Sequence, residues 1–308
     1  MKIFISIASY CDELLFFTIN SCIEKAKEPQ NIVFAIVDQN EESQIEKIKS
    51  LSFANQIRYV YINKLDSLGV SWARNIVFSL WDNEEYLLQI DSHTLFEENW
   101  DENLIEQHTQ LLQLCKKPII STYPHGFHFD ENNKPTFTKP SGKYVLELRP
   151  HPDTLLEEDN AVLRFKAHLR ETSKAINGCH IAAGFIFTSA NFIEEVPYDP
   201  YLYFHGEEQS LSIRAYTRGW DIYHPTWIPI YHFYKKTGTN YENHHWHKSV
   251  ESKRTMNYAY LKERSKKRVN RLLYGDGIKD SIYGLGSSRS LQEYIEFSGI
   301  DYVKRVIK

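Results

Sequence analysis

The first 90 residues alternate between short apolar runs and stretches with helical spacing, and this alternation restricts the fold more than any other feature. The apolar runs resemble strands buried on both faces of a sheet, and they lie at 2–9, 32–37, 57–62 and 86–90. Between them, apolar residues recur at helical intervals, in the segments 13–27, 41–51 and 68–81. Strands that alternate with helices in this way predict the α/β class, with a mostly parallel sheet and helices on both of its faces.

The rest of the chain continues this pattern less regularly. Further strands are predicted at 118–122, 180–188, 221–225 and 228–233. The strand at 180–188 contains Gly184, and glycine inside a strand often marks the close approach of a ligand or of another backbone. A proline-rich stretch at 123–159 predicts a functional loop or a small hairpin.

The end of the chain is predicted to be helical and basic. Residues 251–274 have helical spacing, and a loop and a short helix follow them. We therefore predict a main domain at 1–250 and a C-terminal helical extension at 251–308. The basic residues at 253–271 indicate a solvated helix face. Alternatively, they could form a platform for peripheral contact with a membrane, for a phosphate-bearing acceptor or for a partner domain.

Composition excludes several classes of protein. A net charge of −4 over 308 residues argues against a nucleic-acid partner. No apolar run approaches the roughly 20 residues of a transmembrane segment. The four cysteines contain no C-x-x-C pair, and the N-terminus reads as a strand and not as a signal peptide. These features predict a cytoplasmic protein with free thiols. They do not indicate an oligomeric state.

The fourth predicted strand ends on Asp91-Ser92-His93. Because residues two apart in extended backbone point the same way, the Asp91 carboxylate and the His93 imidazole can converge beyond the strand. That pair suits a Mn²⁺-like ion, and open α/β sheets bind ligands at this edge. A divalent ion there could neutralise a diphosphate. The alternative is a turn with a polar strand cap.

Several segments together resemble a known family over nearly the whole chain. They are SIASYCD at the start, WARN at 72–75, YLLQIDSH at 86–93, AAGFIFT at 182–188, FHGEEQSLSIRAYTRGWDIYHP at 204–225, IYHFY at 230–234 and YGLGSSRSLQEYIEFSGID at 283–301. This set is similar to glycosyltransferase family 60, which includes a cytoplasmic GlcNAc-transferase that modifies hydroxyproline on the ubiquitin-ligase adaptor Skp1. It resembles the polypeptide GalNAc-transferases more distantly.

The resemblance implies a GT-A fold, a UDP-sugar donor (typically UDP-GlcNAc) and transfer to a hydroxyl acceptor with retention of configuration. It also implies a divalent metal, Mn²⁺ or alternatively Mg²⁺. Asp91 and His93 would be two of the ligands, and His232 would be the third, because the distant relatives use a D-x-H motif and a later histidine. A competing source for the third ligand is the cluster formed by His244, His245 and His247.

Further residues are candidates for the donor site. Ser6, Ala8 and Tyr10 lie where the first strand leaves the sheet, which is the expected place for uracil, and Asp38 at the end of the second strand could meet the base or the ribose. Their alternative is a role as ordinary strand-end residues. Arg74 could bridge the donor and Asp91 or form a surface salt bridge, and Gly184 could let the backbone approach the sugar.

Glu207 and Glu208 are the catalytic candidates. One of them is expected to contact sugar hydroxyls or the acceptor hydroxyl, although acidic residues at this position could simply favour a helix N-terminus. Two rival functions remain. One is a metal-dependent hydrolase of sugar nucleotides, and the other is a non-catalytic sugar-nucleotide-binding protein.

Overall fold

The computed structural model describes residues 1–235 and 243–308. In chain order, the strands are β1 (Ile3–Tyr10), β2 (Ile32–Asn40), β3 (Ile57–Asn63), β4 (Tyr86–Asp91), β5 (Thr94–Phe96), β6 (Pro118–Ser121), β7 (His125–Phe129), β8 (Pro135–Phe137), β9 (Tyr144–Pro150), β10 (Phe165–Glu171), β11 (Ile176–Gly178), β12 (Phe185–Ser189), β13 (Asp221–His224), β14 (Ile230–His232), β15 (Ile300–Asp301) and β16 (Val306–Ile307). The α-helices are α1 (Leu15–Lys25), α2 (Ile45–Lys49), α3 (Val70–Phe78), α4 (Trp100–Leu111), α5 (Phe192–Glu195), α6 (Glu207–Thr217), α7 (Lys248–Glu251), α8 (Tyr258–Leu273) and α9 (Leu291–Ser298).

The largest sheet has the strand order β11-β13-β6-β12-β4-β1-β2-β3. Parallel pairing joins β4, β1, β2 and β3, and it also joins β6 to β13. Strand β12 is antiparallel to both of its neighbours, and β11 is antiparallel to β13. The predicted α/β class with a mostly parallel sheet is therefore confirmed.

The alternation of side chains along the strands divides the core into two layers. On β1, Ile3, Ile5 and Ile7 pack with α1 and α4, whereas Phe4 faces the layer formed by α3 and α6. Helices therefore cover both faces, as predicted. On β4, Leu87 lies on the α3 face, so Asp91, four residues later, points toward α3 as well.

A smaller sheet completes the edge beyond β4. Strand β5 begins three residues after Asp91 and pairs antiparallel with β14, which sets His232 opposite Thr94. The backbone N–H of Phe233 also donates to the carbonyl of His93 at 3.0 Å. This pairing brings His232 to the end of β4. The proline-rich stretch contributes strands to this region, since β7 and β8 form a hairpin and β7 pairs with β14.

For two predicted strands, the boundary in the structure changes the place of a candidate residue. The strand predicted at 180–188 begins only at Phe185, so Gly184 precedes β12 and is not inside it. Just before β12, side chains and not a neighbouring strand bind the backbone. Gln89 donates to the carbonyl of Ala183, and Glu208 accepts from the N–H of Ala183. Asp38 lies inside β2, which continues to Asn40, because β3 pairs with β2 up to that residue.

The helix predicted at 251–274 is interrupted, since α7 ends at Glu251 and α8 begins after Asn257. The Asn257 side chain caps α8 by accepting from the N–H of Tyr260 at 2.7 Å. Helices α8 and α9 share a core with Ile213 of α6 and with Leu163. A main domain at 1–250 and an extension at 251–308 remain a proposal. Among the described residues, the extension has no hydrophobic core of its own. None of the helices described has the length and apolar character of a membrane span.

Candidate active site

Asp91, His93 and His232 lie together at the carboxyl edge of the main sheet. Asp91 ends β4, His93 lies in the turn to β5, and His232 ends β14. His232 Nε2 lies 3.1 Å from Asp91 Oδ2 and 3.0 Å from His93 Nε2. One ligand atom from each residue can be chosen so that all lie within 4.8 Å of one another. The structure thus brings together the three residues that the sequence suggested as metal ligands.

The competing histidines lie elsewhere. The Tyr203 hydroxyl and His245 Nδ1 share a hydrogen bond of 2.7 Å, and His247 Nδ1 lies 2.7 Å from the Ser249 hydroxyl. In the ranges that the structure describes, no residue of the His244–His247 segment joins the cluster around Asp91.

Asp12 orients one of the three candidate ligands. Its carboxylate lies 2.5 Å from His93 Nδ1, and it also accepts a hydrogen bond from Ser92. A proton held on Nδ1 by a carboxylate leaves the Nε2 lone pair of the ring directed at the cluster. Two imidazole nitrogens and one carboxylate are suitable ligands for a divalent transition metal. This set of ligands does not by itself distinguish one such metal from another.

The electrostatics of the cluster favour an ionised carboxylate. Burial alone would raise the pKa of Asp91, but the hydrogen bond with His232 and the charge of Arg74 outweigh it and hold that pKa well below its usual range. Burial would lower the pKa of His93, but the hydrogen bond with Asp12 and the charge of Asp91 raise it.

Arg74 connects the cluster to the catalytic candidates. Its guanidinium donates to Asp91 Oδ1 at 2.8 Å and to Glu207 Oε1 at 2.6 Å. Its side chain is only 5% exposed, so the alternative of a surface salt bridge is wrong. Burial raises the pKa of Glu207 to about 7, although the charge of Arg74 opposes that rise. This carboxyl can therefore exchange a proton near neutral pH.

Glu208 has a different environment from Glu207. Its Oε1 accepts from the N–H of Ala183 and its Oε2 from the Tyr123 hydroxyl, both at 2.8 Å, while His180 Nε2 lies 3.6 Å away. Burial would raise its pKa, but the nearby His180 imidazole and the hydrogen bonds from Ala183 and Tyr123 lower it. Glu208 thus holds the turn before β12 in place as an ionised group.

A cavity of about 350 Å³ lies beside these groups, and its wall includes Arg74, Asp91, Gly184, Glu207 and Glu208. Its volume falls in the range of about 300–1,000 Å³ typical of small-molecule sites. A Cβ on Gly184 would lie 2.6 Å from Asp91 Oδ2. The glycine therefore leaves room for the Asp91 carboxylate, and its contact with a sugar stays a prediction.

The remaining donor-site candidates are dispersed. Ser6 is fully buried in the middle of β1 and does not line this cavity, whereas Ala8 pairs with Asp91 across the sheet. The Tyr10 hydroxyl donates to the carbonyl of Asn243 at 2.7 Å. Asp38 is 1% exposed and accepts from Tyr59. Tyr10 lies at a strand end as expected, while Asp38 is covered.

A second space lies at the carboxyl ends of β1 and β2. It has a volume of about 280 Å³, and Cys11, Asp12, Asn40 and Lys64 are in its wall. The contact between Asp12 and His93 places it next to the cluster of Asp91, His93 and His232. Asp12 was missed in the sequence, although it follows a buried strand just as Asp91 ends one.

Comparisons with known proteins bear on both fold and family. A family model described as glycosyltransferase (GlcNAc) matches residues 2–50 and 40–304. Among solved structures, GalNAc-T7 with UDP, GalNAc and Mn²⁺ aligns with a TM-score of 0.57 and 15% identity, over 97% of this chain and 55% of that one. This chain therefore spans about half the length of that structure.

TarS 1–349 of S. aureus, in complex with UDP, aligns with a TM-score of 0.50 and 11% identity, over 99% of this chain and 81% of that one. At such identities these likenesses bear on the fold, and they confirm the predicted GT-A arrangement. A search of curated proteins found no match.

Proposed function

Because the chain belongs to the GlcNAc glycosyltransferase family, we propose that it moves GlcNAc from UDP-GlcNAc to a hydroxyl group of a glycan or protein. The observation that carries the proposal is the Asp91–His93–His232 cluster, whose Asp91 lines a cavity of ligand size. We also propose that the chain is a member of glycosyltransferase family 60 and that its activity depends on a metal ion. In this proposal the catalytic domain is 1–250.

We propose Mn²⁺ as the resident ion, with Mg²⁺ as the alternative, held by Asp91, His93 and His232. The GalNAc-T7 structure, which has a similar fold, contains Mn²⁺. A bound divalent ion stabilises the negative charge of a diphosphate leaving group. The uridine would lie toward the space at the ends of β1 and β2, where Asp12 and Lys64 are in the wall.

The sugar would occupy the cavity of about 350 Å³. Arg74 fixes the carboxylates of Asp91 and Glu207 relative to each other by donating to both. The second carboxylate oxygen of Glu207 would accept a hydrogen bond from a sugar hydroxyl or from the acceptor hydroxyl. Glu208 and Tyr123 would shape the wall and not react, because the Glu208 carboxylate is already engaged by Ala183 and Tyr123.

Retention of configuration is proposed without a covalent intermediate. The acceptor oxygen forms its bond to the anomeric carbon as the bond from that carbon to the UDP oxygen breaks, and the leaving phosphate takes the hydroxyl proton. The Asp91 carboxylate is held by Arg74 and His232, which argues against it as a nucleophile. Trapping of a glycosyl-enzyme would contradict this mechanism.

The test is calorimetric titration of UDP, and then of UDP-GlcNAc, in the presence of Mn²⁺ or EDTA. We expect binding in Mn²⁺, and we expect Asp91→Ala to weaken it at least about ten-fold because a ligand is lost. The matched control is Asp82→Ala, which removes a side chain that is 77% exposed. Tight UDP binding that neither EDTA nor Asp91→Ala reduces would exclude the metal site.

A hydrolase of sugar nucleotides is the second candidate function. Glu207, with a pKa of about 7 and linked to Asp91 through Arg74, has the properties of a general base near a metal. The two functions differ in their need for an acceptor. Release of GlcNAc from UDP-GlcNAc at an equal rate with and without hydroxyl acceptors would favour the hydrolase.

A further inference from the structure

A larger cavity, of about 1070 Å³, adjoins the proposed sugar site. The two cavities share Arg164, Phe204 and His205, so these residues form a junction between them. Helix α8 forms one wall of this outer cavity, and the segment 153–164 forms another. An acceptor has to reach the sugar from outside the donor site, and the outer cavity adjoins it directly.

Two basic side chains without acidic partners lie here, Arg164 at the junction and Lys262 in the wall of the outer cavity. Several cations of the basic helix are paired, as in the contacts Lys266–Asp159 at 2.8 Å, Arg268–Asp199 at 2.7 Å and Arg271–Asp276 at 3.0 Å. In contrast, neither Arg164 nor Lys262 has a carboxylate within 4.0 Å among the residues that the structure describes.

The same two cations act on a third basic group. Partial burial lowers the pKa of His205, the charges of Lys262 and Arg164 lower it further, and the charge of Glu208 opposes that shift. All three side chains lie in the wall of the outer cavity, and an anion bound between them would reduce their mutual repulsion. Neutral His205 can still donate one hydrogen bond to such a ligand.

Acidic residues line both cavities. On the inner side, Arg74 binds the Glu207 carboxylate, and Ala183 and Tyr123 bind the Glu208 carboxylate. Asp153, Glu157 and Glu263 line only the outer cavity, and Glu263 lies 3.6 Å from Lys267. Aromatic rings also line this space, since Phe204 is 57% exposed and Trp246 is 52% exposed. Exposed ring faces of this kind can stack on the apolar face of a sugar.

We propose that the outer cavity binds the acceptor, and that the acceptor is a saccharide carrying a phosphate group. Phosphate oxygens would accept hydrogen bonds from Arg164, His205 and Lys262, while a sugar ring lies on Phe204. The inference rests on the proposed function and adds the substrate class. The walls favour a saccharide over a peptide, because neither α8 nor the segment 153–164 contains a β-strand to which an extended peptide could pair.

The experiment uses the full chain and titrates glucose 6-phosphate, methyl glucoside, inorganic phosphate and a phosphoserine peptide. Each titration is made with and without saturating UDP and Mn²⁺, because UDP blocks any binding of phosphate at the donor site. The variants are Arg164→Gln and Lys262→Gln. Lys267→Gln is the matched control, since Lys267 lies on the same helix but outside the outer cavity.

We expect glucose 6-phosphate to bind at least about ten-fold more tightly than methyl glucoside, as charge-assisted hydrogen bonds imply. That preference should fall about ten-fold in Arg164→Gln and in Lys262→Gln and persist in Lys267→Gln. Equal binding of the two sugars would overturn the inference, and so would a preference that survives both substitutions. Tighter binding of inorganic phosphate or of the phosphoserine peptide would overturn the saccharide class. UDP binding in the same samples tests the donor site separately, so failure of the proposed function remains distinguishable.

Discussion

At the residue scale, the contact between Asp12 and His93 is the least obvious part of the site. The two residues are 81 positions apart and meet because β1 and β4 are neighbouring parallel strands. The carboxylate favours the tautomer of His93 that carries the proton on Nδ1, and this tautomer leaves the Nε2 lone pair for a ligand.

We predict that Asp12→Asn weakens Mn²⁺ binding by about 10- to 100-fold, because the neutral amide no longer holds the proton on Nδ1 of His93. Titration of Mn²⁺ in the presence of UDP checks this. Glu13→Gln is the control, since Glu13 is the exposed neighbour. Unchanged Mn²⁺ affinity in Asp12→Asn would show that the pair does not support a metal site.

The raised pKa of Glu207 predicts a pH dependence of stability. A carboxyl whose pKa rises from 4.5 to about 7 binds its proton more tightly in the folded state. The free energy of unfolding therefore falls as pH rises between these values. Glu207→Gln should remove this loss, of roughly 1–3 kcal/mol, between pH 5 and pH 8.

Urea unfolding at the two pH values measures the effect as a difference between wild type and variant. Glu208→Gln is the matched control, because the pKa of Glu208 is lowered. Its stabilising contribution is lost only as pH falls below the ordinary carboxyl range, so this variant should change stability equally at pH 5 and pH 8. The prediction fails if Glu207→Gln also shows equal changes.

At the scale of elements, short structures position the site. Strands β5 and β14 have three residues each, yet their pairing sets His232 beside His93. Helix α9 contributes to the core shared with α6 and α8 by burying Tyr294 and Ile295. It begins with a capping box, in which Ser290 accepts from the N–H of Glu293 and the Glu293 carboxylate accepts from the N–H of Ser290.

Ser290→Ala should destabilise the protein by about 1 kcal/mol, because the N–H groups of the first turn of α9 lose their cap. Urea unfolding measures the change. Ser287→Ala, at an exposed position in the preceding loop, should change stability by less than about 0.5 kcal/mol. Equal effects of the two substitutions would mean that the capping box does not stabilise the helix in solution.

At the scale of the whole molecule, the C-terminal extension and the main domain share one core. Val269, Leu272 and Tyr294 pack with Ile213 and Leu202. Removing even one large buried apolar side chain costs about 2–5 kcal/mol, which is a large part of the total stability of about 5–15 kcal/mol.

We therefore expect a chain of residues 1–250 to lose cooperative unfolding, because it would expose the apolar surface of α6. Circular dichroism during heating, compared with the full chain, tests this. A cooperative transition in the shorter chain, together with intact UDP binding, would show that the extension is a separate unit.

The sequence by itself determined the order of the first four strands and the helices between them, the mostly parallel sheet and the Asp91–His93 pair at a strand end. These follow from side-chain periodicity and chain direction, which are local properties. The tertiary structure decided which distant groups join that pair, because β14 and β1 approach β4 through pairings that no local pattern specifies. In the folded chain, His232 and not His245 lies beside Asp91 and His93, and Asp12 contacts His93. Asp38 is buried. The tertiary structure also showed that Gly184 makes room for Asp91, since close approach between segments depends on the packing of the whole chain.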